Sequence, residues 1–206
     1  MIISVVIPSY NGRSLLEKNL PAVLKACTTW NNSDWEIIIV DDASTDTTVS
    51  WLKQTYPRIK VIQNFTNLRF ARSVNKGVAA AQGEIVILLN NDVKPQPDFI
   101  LPLIKHFQDK AVFAVGCLEK NGGILGGRGE GKFSRGFIIH WRPRNQDSKD
   151  TLWVTAGSAA FRKSIWDQLG GFDPLFRPAY DEDRDLSYNA LKSGFIIASY
   201  YSIFFI

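Results

Sequence analysis

Acidic and amide side chains crowd into a few short stretches of this chain. Asp41, Asp42 and Asp46 stand close together, Asn90, Asn91 and Asp92 are consecutive, and Asp181, Glu182, Asp183 and Asp185 form a third group. A polar stretch without charge, Ser9-Tyr10-Asn11-Gly12, stands near the start. Hard oxygen donors of this kind suit Mg²⁺ or Mn²⁺, and a positioned carboxylate can take a proton from an attacking group. The same residue types also populate turns and helix N-termini with no chemistry at all. One cluster alone therefore decides nothing, and what matters is whether the fold brings several of them together.

The elements that would do so can be read from apolar patterning. Residues 2–7, 35–40, 61–62, 85–89 and 112–116 are short apolar runs that read as strands. Residues 13–26, 46–55, 70–82 and 97–107 read as helices, with a kink expected at Pro21 and a cap at Ser44 or Asp46. Strands that are apolar throughout and separated by helices imply a mostly parallel sheet covered on both faces, a doubly wound α/β fold. Ligands on such sheets bind beyond the carboxyl ends of the strands. The clusters at 9–12, 41–46 and 90–92 each follow directly on a strand, so all three are expected at one end of one sheet.

Beyond residue 118 the character changes. Residues 119–150 are dense in glycine and read as a long loop, with Lys132, Arg135, Arg142 and Arg144 available to meet phosphate, an anionic acceptor or only solvent. Strand structure is expected around Gly157-Ser158, and helices at 163–169 and 183–192.

Composition narrows the classes. With 206 residues the chain suits one domain, and 45% apolar and 21% charged residues are ordinary for a globular core. A net charge of +4 without a dense basic block, and without a recognition motif, argues against a nucleic-acid binder. Ser9-Tyr10-Asn11-Gly12 is not a GxGxxG turn, which argues against a dinucleotide-dependent oxidoreductase. Cys27 and Cys117 sit in apolar stretches and are expected as buried free thiols, suiting a reducing cytoplasm. No secretory signal is read at the N-terminus. The apolar run 195–206 is shorter than the roughly 20 residues of a spanning helix.

Several motifs, taken in order, resemble family 2 glycosyltransferases. They are Val5-Val6-Ile7-Pro8-Ser9-Tyr10-Asn11-Gly12, Ile38-Ile39-Val40-Asp41-Asp42-Ala43-Ser44-Thr45-Asp46, the segment 64–75 with Asn67, Arg72 and Asn75, Leu88-Leu89-Asn90-Asn91-Asp92, Gly170-Gly171-Phe172-Asp173, and Asp181-Glu182-Asp183-Arg184-Asp185-Leu186. The resemblance implies a GT-A fold spanning 1–206, with a nucleotide-sugar-binding half at 1–118 and an acceptor-side half at 119–206. It implies an inverting transfer of a sugar from a nucleotide diphosphate to a hydroxyl, with a rhamnosyltransferase-like member as the expected kind. Asp92 would hold the divalent cation, Mn²⁺ or Mg²⁺. Asp183 would be the catalytic base, with Gly157, Glu182 and Asp185 on the acceptor side. Pro8, Tyr10, Asn11, Asp42, Asn67, Arg72 and Asn91 would bind the nucleotide, Asp42 through the N–H of a uracil- or thymine-type base and Asp41 as a weaker candidate. The implied partners are a UDP- or dTDP-type sugar and a glycan or lipid-linked acceptor in cell-envelope polysaccharide synthesis, in the cytoplasm or at the inner face of the membrane.

The sequence departs from that pattern in two places. Asn90 stands where the metal motif usually has a first acid. Past the last expected strand the chain shows neither a metal-ligating histidine nor a QxxRW motif, so the acceptor half is expected to be incomplete at the C-terminus. His106 is expected at the surface, and His140 is a weak candidate for the site. A truncated or degenerate fold that binds nucleotide without turnover is the alternative these departures support. The apolar end at Phe204-Phe205-Ile206 is expected to be covered by a partner chain, a membrane surface or a further segment.

Overall fold

The computed structural model describes residues 1–30, 34–135, 137–143 and 151–205. Arg144, Gly136 and the side chains of Phe204, Phe205 and Ile206 lie outside the described residues.

Three βα units open the chain: β1 (Ile3–Ser9), α1 (Arg13–Thr29), β2 (Trp35–Asp41), α2 (Thr48–Thr55), β3 (Lys60–Gln63) and α3 (Arg69–Ala79). β4 (Ile85–Leu89) and α4 (Ile100–Lys105) follow, then β5 (Val112–Asn121), β6 (Ile124–Gly126), β7 (Glu130–Ser134), β8 (Phe137–Trp141), β9 (Ser158–Arg162), α5 (Lys163–Leu169), α6 (Glu182–Lys192) and β10 (Ile196–Phe205). The main sheet runs β10-β5-β9-β4-β1-β2-β3, with β6 paired to β5. β1 pairs in parallel with β2 and β4, β2 with β3, and β10 with β5. β9 is inserted antiparallel between β4 and β5. The mostly parallel, doubly wound α/β sheet expected from the apolar runs is therefore present.

Period-two alternation along the buried strands divides the core between the two faces. Ile3, Val5 and Ile7 join Leu16, Leu20 and Val23 of α1 and Leu103 of α4 on one side. Val6, Ile38 and Val40 join Ala71, Val74 and Val78 of α3, Ile165 and Trp166 of α5 and Leu186 of α6 on the other. Fully burying one such aliphatic side chain is worth roughly 1.5–3 kcal/mol. Gly77 sets the distance of α3 from the sheet: a Cβ there would stand 2.4 Å from Val6 Cγ1 and 2.8 Å from Val40 Cγ2. α3 thus lies directly on β1 and β2.

Several local expectations are corrected. Much of the expected glycine-rich loop is strand: β5 continues to Asn121, turns at Gly122 and Gly123 (φ +54° and +88°) into β6, and β7 pairs antiparallel with β8 as a second, two-stranded sheet. The glycines supply the positive φ that the first hairpin needs, while Phe137-Ile138-Ile139-His140-Trp141 has the β-branched and aromatic composition of a strand. α2 starts only at Thr48, because the Asp46 carboxylate accepts hydrogen bonds from the Thr48 N–H (3.0 Å) and hydroxyl (2.5 Å) and holds the turn before it. The helix expected over 97–107 shrinks to α4 and a 3₁₀ turn at His106–Gln108. Cys27 and Cys117 are buried free thiols, as expected, and burial raises both pKa values, Cys27 to about 12.

Candidate active site

β1, β2 and β4 end side by side, so the residues after them share one edge of the sheet. A cavity of about 340 Å³ opens there, lined by Pro8, Ser9, Tyr10, Leu15, Asp42, Asn67, Arg69, Phe70, Ser73, Asn90, Asn91 and Asp92. Asp42 organises one wall. Its Oδ1 accepts hydrogen bonds from Asn64 Nδ2 (2.9 Å), the Leu68 N–H (2.8 Å) and the Ser73 hydroxyl (2.8 Å), and its Oδ2 accepts from the Arg69 N–H (2.8 Å). Asn64 Oδ1 in turn accepts from Lys76 Nζ (2.8 Å). One buried carboxylate therefore binds the loop after β3 to the first turn of α3. Oδ1 thus takes three protein donors and Oδ2 one.

The opposite wall is built from amides. Asn91 Nδ2 donates to the Ser9 hydroxyl (3.0 Å), and Asn19 Nδ2 on α1 donates to the Asn91 carbonyl (3.0 Å). Gly12 allows this approach, since a Cβ there would stand 2.4 Å from Asn91 Nδ2. Asp92 is exposed at the cavity, and its carboxylate makes no hydrogen bond or ion pair with another described residue. Among the described residues no three His, Cys, Asp or Glu side chains gather as a metal site. A carboxylate unpaired among the described residues, beside the amides of Asn90 and Asn91, offers the oxygen donor that a hard cation takes.

Four of the five described non-glycine residues with positive φ lie among or next to the residues that line the two cavities, the fifth being Arg135 in the β7–β8 turn. Asn11, Ala43, Arg69 and Asp181, all non-glycine, have φ of +47°, +65°, +69° and +84°. Such conformations cost of order 1–3 kcal/mol each and persist where surrounding bonds hold them. Asn11 is held from three directions: its N–H donates to Ser44 Oγ (2.8 Å), and its Oδ1 accepts from the Thr45 N–H (2.8 Å) and hydroxyl (3.3 Å).

The acidic segment opens α6. Glu182 and Asp185 lie in its first turn, and Asp181 makes an ion pair with Arg184, whose guanidinium also lies 5.1 Å from the Trp153 ring centroid. Asp183 Oδ2 accepts from the Ala156 N–H (3.3 Å) and its Oδ1 from the Arg184 N–H (2.8 Å). Burial, with Asp181 adding to it, raises the Asp183 pKa above the ordinary carboxylate value, although these two N–H groups pull it down. Burial also raises Glu182, with Asp183 and Asp181 contributing, and raises Asp185 together with the charge of Asp173. Next to Ala156, Gly157 closes the link to the first cavity. Its carbonyl accepts from the Asn90 N–H (2.9 Å), and a Cβ on it would stand 2.8 Å from Asn90 Nδ2. The 156–157 turn thus touches both the Asn90-Asn91-Asp92 segment and Asp183. A second cavity of about 260 Å³, lined by His140, Phe176, Asp181, Arg184, Asp185 and Tyr188, opens beside α6.

The fold accordingly gathers Pro8, Tyr10, Asp42, Asn67, Asn91 and Asp92 around one cavity and brings Gly157 and Asp183 together beside it. Asn11 supports the strand ends from outside the lining. Arg72 is exposed on α3 and does not line the cavity, whereas its neighbours Arg69, Phe70 and Ser73 do. Asp41 is fully buried below it and accepts from the Ser44 N–H (3.1 Å). His140 lines the second cavity, and His106 is half-buried beyond α4. Asn64, Arg69 and Ser73 were missed as individual site residues. Asn64 directly follows β3, so the strand-end rule could have found it. Ser73 is a hydroxyl among apolar helix positions. Arg69 carries no sequence signal, since its part is played by a backbone N–H.

Residues 4–170 match the model of the family described as Glycosyl transferase family 2. The putative glycosyltransferase EpsE of Bacillus subtilis is 35% identical over 205 residues, covering 94% of this chain and 68% of that protein. The dolichol-phosphate mannosyltransferase of Pyrococcus furiosus is 30% identical over 177 residues, covering 80% of this chain and 47% of that protein. Among solved structures, a mannosyltransferase from Pyrobaculum calidifontis in complex with GDP-Man and Mn²⁺ superposes with a TM-score of 0.74 at 21% identity, over 99% of this chain and 56% of that one. The chain spans less than half the length of the first curated relatives it matches.

Proposed function

Since the chain belongs to glycosyl transferase family 2, we propose that it carries the donor-binding and catalytic core of an inverting glycosyltransferase. The donor is a sugar on a UDP- or dTDP-type diphosphate, and the acceptor is a hydroxyl of a glycan or lipid-linked glycan in polysaccharide synthesis. The observation that carries this reading is the 156–157 turn, which ties the Asn90-Asn91-Asp92 segment of the donor cavity to the carboxylate of Asp183. Buried free thiols favour a reducing, cytoplasmic setting.

The base of the nucleotide would lie between Pro8, Tyr10 and the loop held by Asp42, with Asp42 Oδ2 accepting its N–H. The diphosphate would extend toward Asp92. A divalent cation on Asp92, Mn²⁺ or Mg²⁺, would act as a Lewis acid for the negative charge that builds on the departing diphosphate. The acceptor hydroxyl attacks the anomeric carbon from the face opposite the diphosphate. The new C–O bond forms as the bond to the diphosphate breaks with its electron pair, and the hydroxyl proton passes to Asp183. Burial raises the Asp183 pKa, which makes its ionised form a stronger proton acceptor.

The test is a thermal melt with UDP, dTDP and GDP, each with and without Mn²⁺, on the parent chain and Asp92→Asn. A ligand present at about 100 times its Kd stabilises by about 2.7 kcal/mol. The expected result is a Mn²⁺-dependent shift with UDP or dTDP that Asp92→Asn loses. No shift with any nucleotide would overturn the donor site, and an equal shift in Asp92→Asn would remove the metal role of Asp92.

A further inference from the structure

The β7–β8 hairpin has two faces with different surroundings. Strand register puts Gly131 opposite His140, and this pair faces the body: a Cβ on Gly131 would meet Leu152 Cδ2 at 2.6 Å, and the His140 ring stands edge-on to Trp153 at 5.4 Å between centroids. Directly opposed residues of an antiparallel pair share a face, and alternate positions along each strand do too. The other face is therefore Glu130, Lys132 and Ser134 across from Trp141, Ile139 and Phe137. Among the described residues that face is largely uncovered: Phe137 is 73% exposed, Ile139 47% and Trp141 43%.

The charge on this face decides what would cover it. Lys132, directly opposite Ile139, is exposed, and so is Arg135 in the turn. The one acid of the face, Glu130, is already engaged by Arg128 (2.6 Å) and by the Trp141 indole N–H (3.0 Å). The result is an apolar strip of Trp, Ile and Phe edged by Lys132 and Arg135, which form no ion pair with another described residue. An amphipathic aromatic residue such as Trp sits well at the level of lipid headgroups, and Lys and Arg beside it are drawn to anionic lipid.

We infer that the outer face of the β7–β8 hairpin seats this protein on an anionic membrane surface, with Phe137, Ile139 and Trp141 entering the headgroup region and Lys132 and Arg135 meeting lipid phosphates. The hairpin's inner face lines the second cavity through His140, beside Asp181 and Asp185. The same element therefore touches the membrane and the cavity next to Asp183. Under the transferase reading, on which this consequence alone rests, a lipid-linked acceptor would reach the site along the hairpin without leaving the bilayer surface.

The experiment is co-sedimentation of the 206-residue chain with vesicles of phosphatidylcholine alone, or of phosphatidylcholine with phosphatidylglycerol. Two variants accompany it. One is Phe137→Ser/Ile139→Ser/Trp141→Ser, and the other is Lys132→Gln/Arg135→Asn, where Asn tolerates the positive φ of Arg135 (+51°). The expected result is binding to the anionic vesicles that weakens with salt. The double variant should bind about 30-fold more weakly, at about fivefold per charge near the surface, and the triple variant should lose binding. Unchanged nucleotide-induced melting shifts in both variants would show that they fold and would separate this result from the donor-site test. No binding to anionic vesicles overturns the inference, as does binding that both variants retain. A concentration-dependent dimer that the triple variant abolishes, without vesicle binding, would assign the face to a second copy and overturn it equally.

Discussion

Asn75 and Phe172, 97 residues apart, hold each other by two hydrogen bonds: Asn75 Nδ2 donates to the Phe172 carbonyl at 2.8 Å, and the Phe172 N–H donates to Asn75 Oδ1 at 3.0 Å. One side-chain amide here satisfies both backbone groups of a residue outside any strand. The approach requires Gly171, at φ +72°, where a Cβ would stand 2.7 Å from Asn75 Oδ1. α3, whose first turn frames the cavity at Asp42, is thereby fixed to the segment that leads into Asp181–Asp185.

Replacing Asn75 with Ala should leave the Phe172 N–H and C=O without their partner. The expected loss is about 1–3 kcal/mol, or a fall of roughly 2–12 °C in Tm for a chain of this length. Calorimetry of the variant checks it, and an unchanged Tm would mean that the pair is not a structural tie.

Asp42→Asn changes one acceptor oxygen into a donor that faces N–H and O–H groups. Hydrogen bonds to a charged partner are worth about 1.5–3 kcal/mol each, so losing even one should lower stability by that amount. Denaturant titration should show it. UDP binding should weaken too, because the Leu68 and Arg69 N–H groups that shape the cavity wall lose their anchor. Unaltered UDP affinity by calorimetry would count against the organising role of Asp42.

Asp183→Asn should reduce sugar transfer by about 10²–10⁴-fold while the nucleotide melting shift stays. In the parent enzyme the base must be ionised, so kcat/KM should fall on acidification through the Asp183 pKa. Burial raises that pKa, and the acid limb should lie above the ordinary aspartate value of about 3.9. Turnover by Asp183→Asn, or a rate that holds level down to pH 4, would remove the base assignment.

Glu182→Gln should stabilise the fold at neutral pH. Glu182 is buried, its Oε2 lacks a hydrogen-bond partner among the described residues, and burial with Asp183 and Asp181 raises its pKa above the ordinary 4.5. The folded state then binds this proton more tightly than the unfolded chain. Stability falls as pH rises from the ordinary value through the raised one, and the whole penalty is present above both. A neutral Gln removes the penalty, so the Tm gain of the variant should be largest at pH 7 and shrink toward pH 4. A Tm loss at pH 7 would show that the carboxylate is held favourably.

The sequence by itself determined the fold class and the end of the sheet where a site must lie. Val5-Val6-Ile7 and Ile37-Ile38-Ile39 are apolar at every position, β-branched and bounded by turn residues, which suits a sheet covered on both faces, and a parallel sheet places the following polar residues together. Local reading did less well where glycine was dense, because the same residue permits a loop and makes a hairpin turn. Gly122 and Gly123 serve the turn, and pairing partners decide between the two. Tertiary structure alone decided what each polar group does. Asp41 and Asp42 are adjacent and chemically identical, yet strand pleat sends one into the core and the other to the cavity edge, where four donors from residues 64–73 converge on it. Arg72 and Ser73 are likewise neighbours, and the helical turn exposes one and buries the other against Asp42. The contacts of Asn90 with Gly157 and of Asn75 with Phe172 join residues far apart in the chain. Such pairs have no local signature, because they depend on how the helices and β9 pack across the sheet.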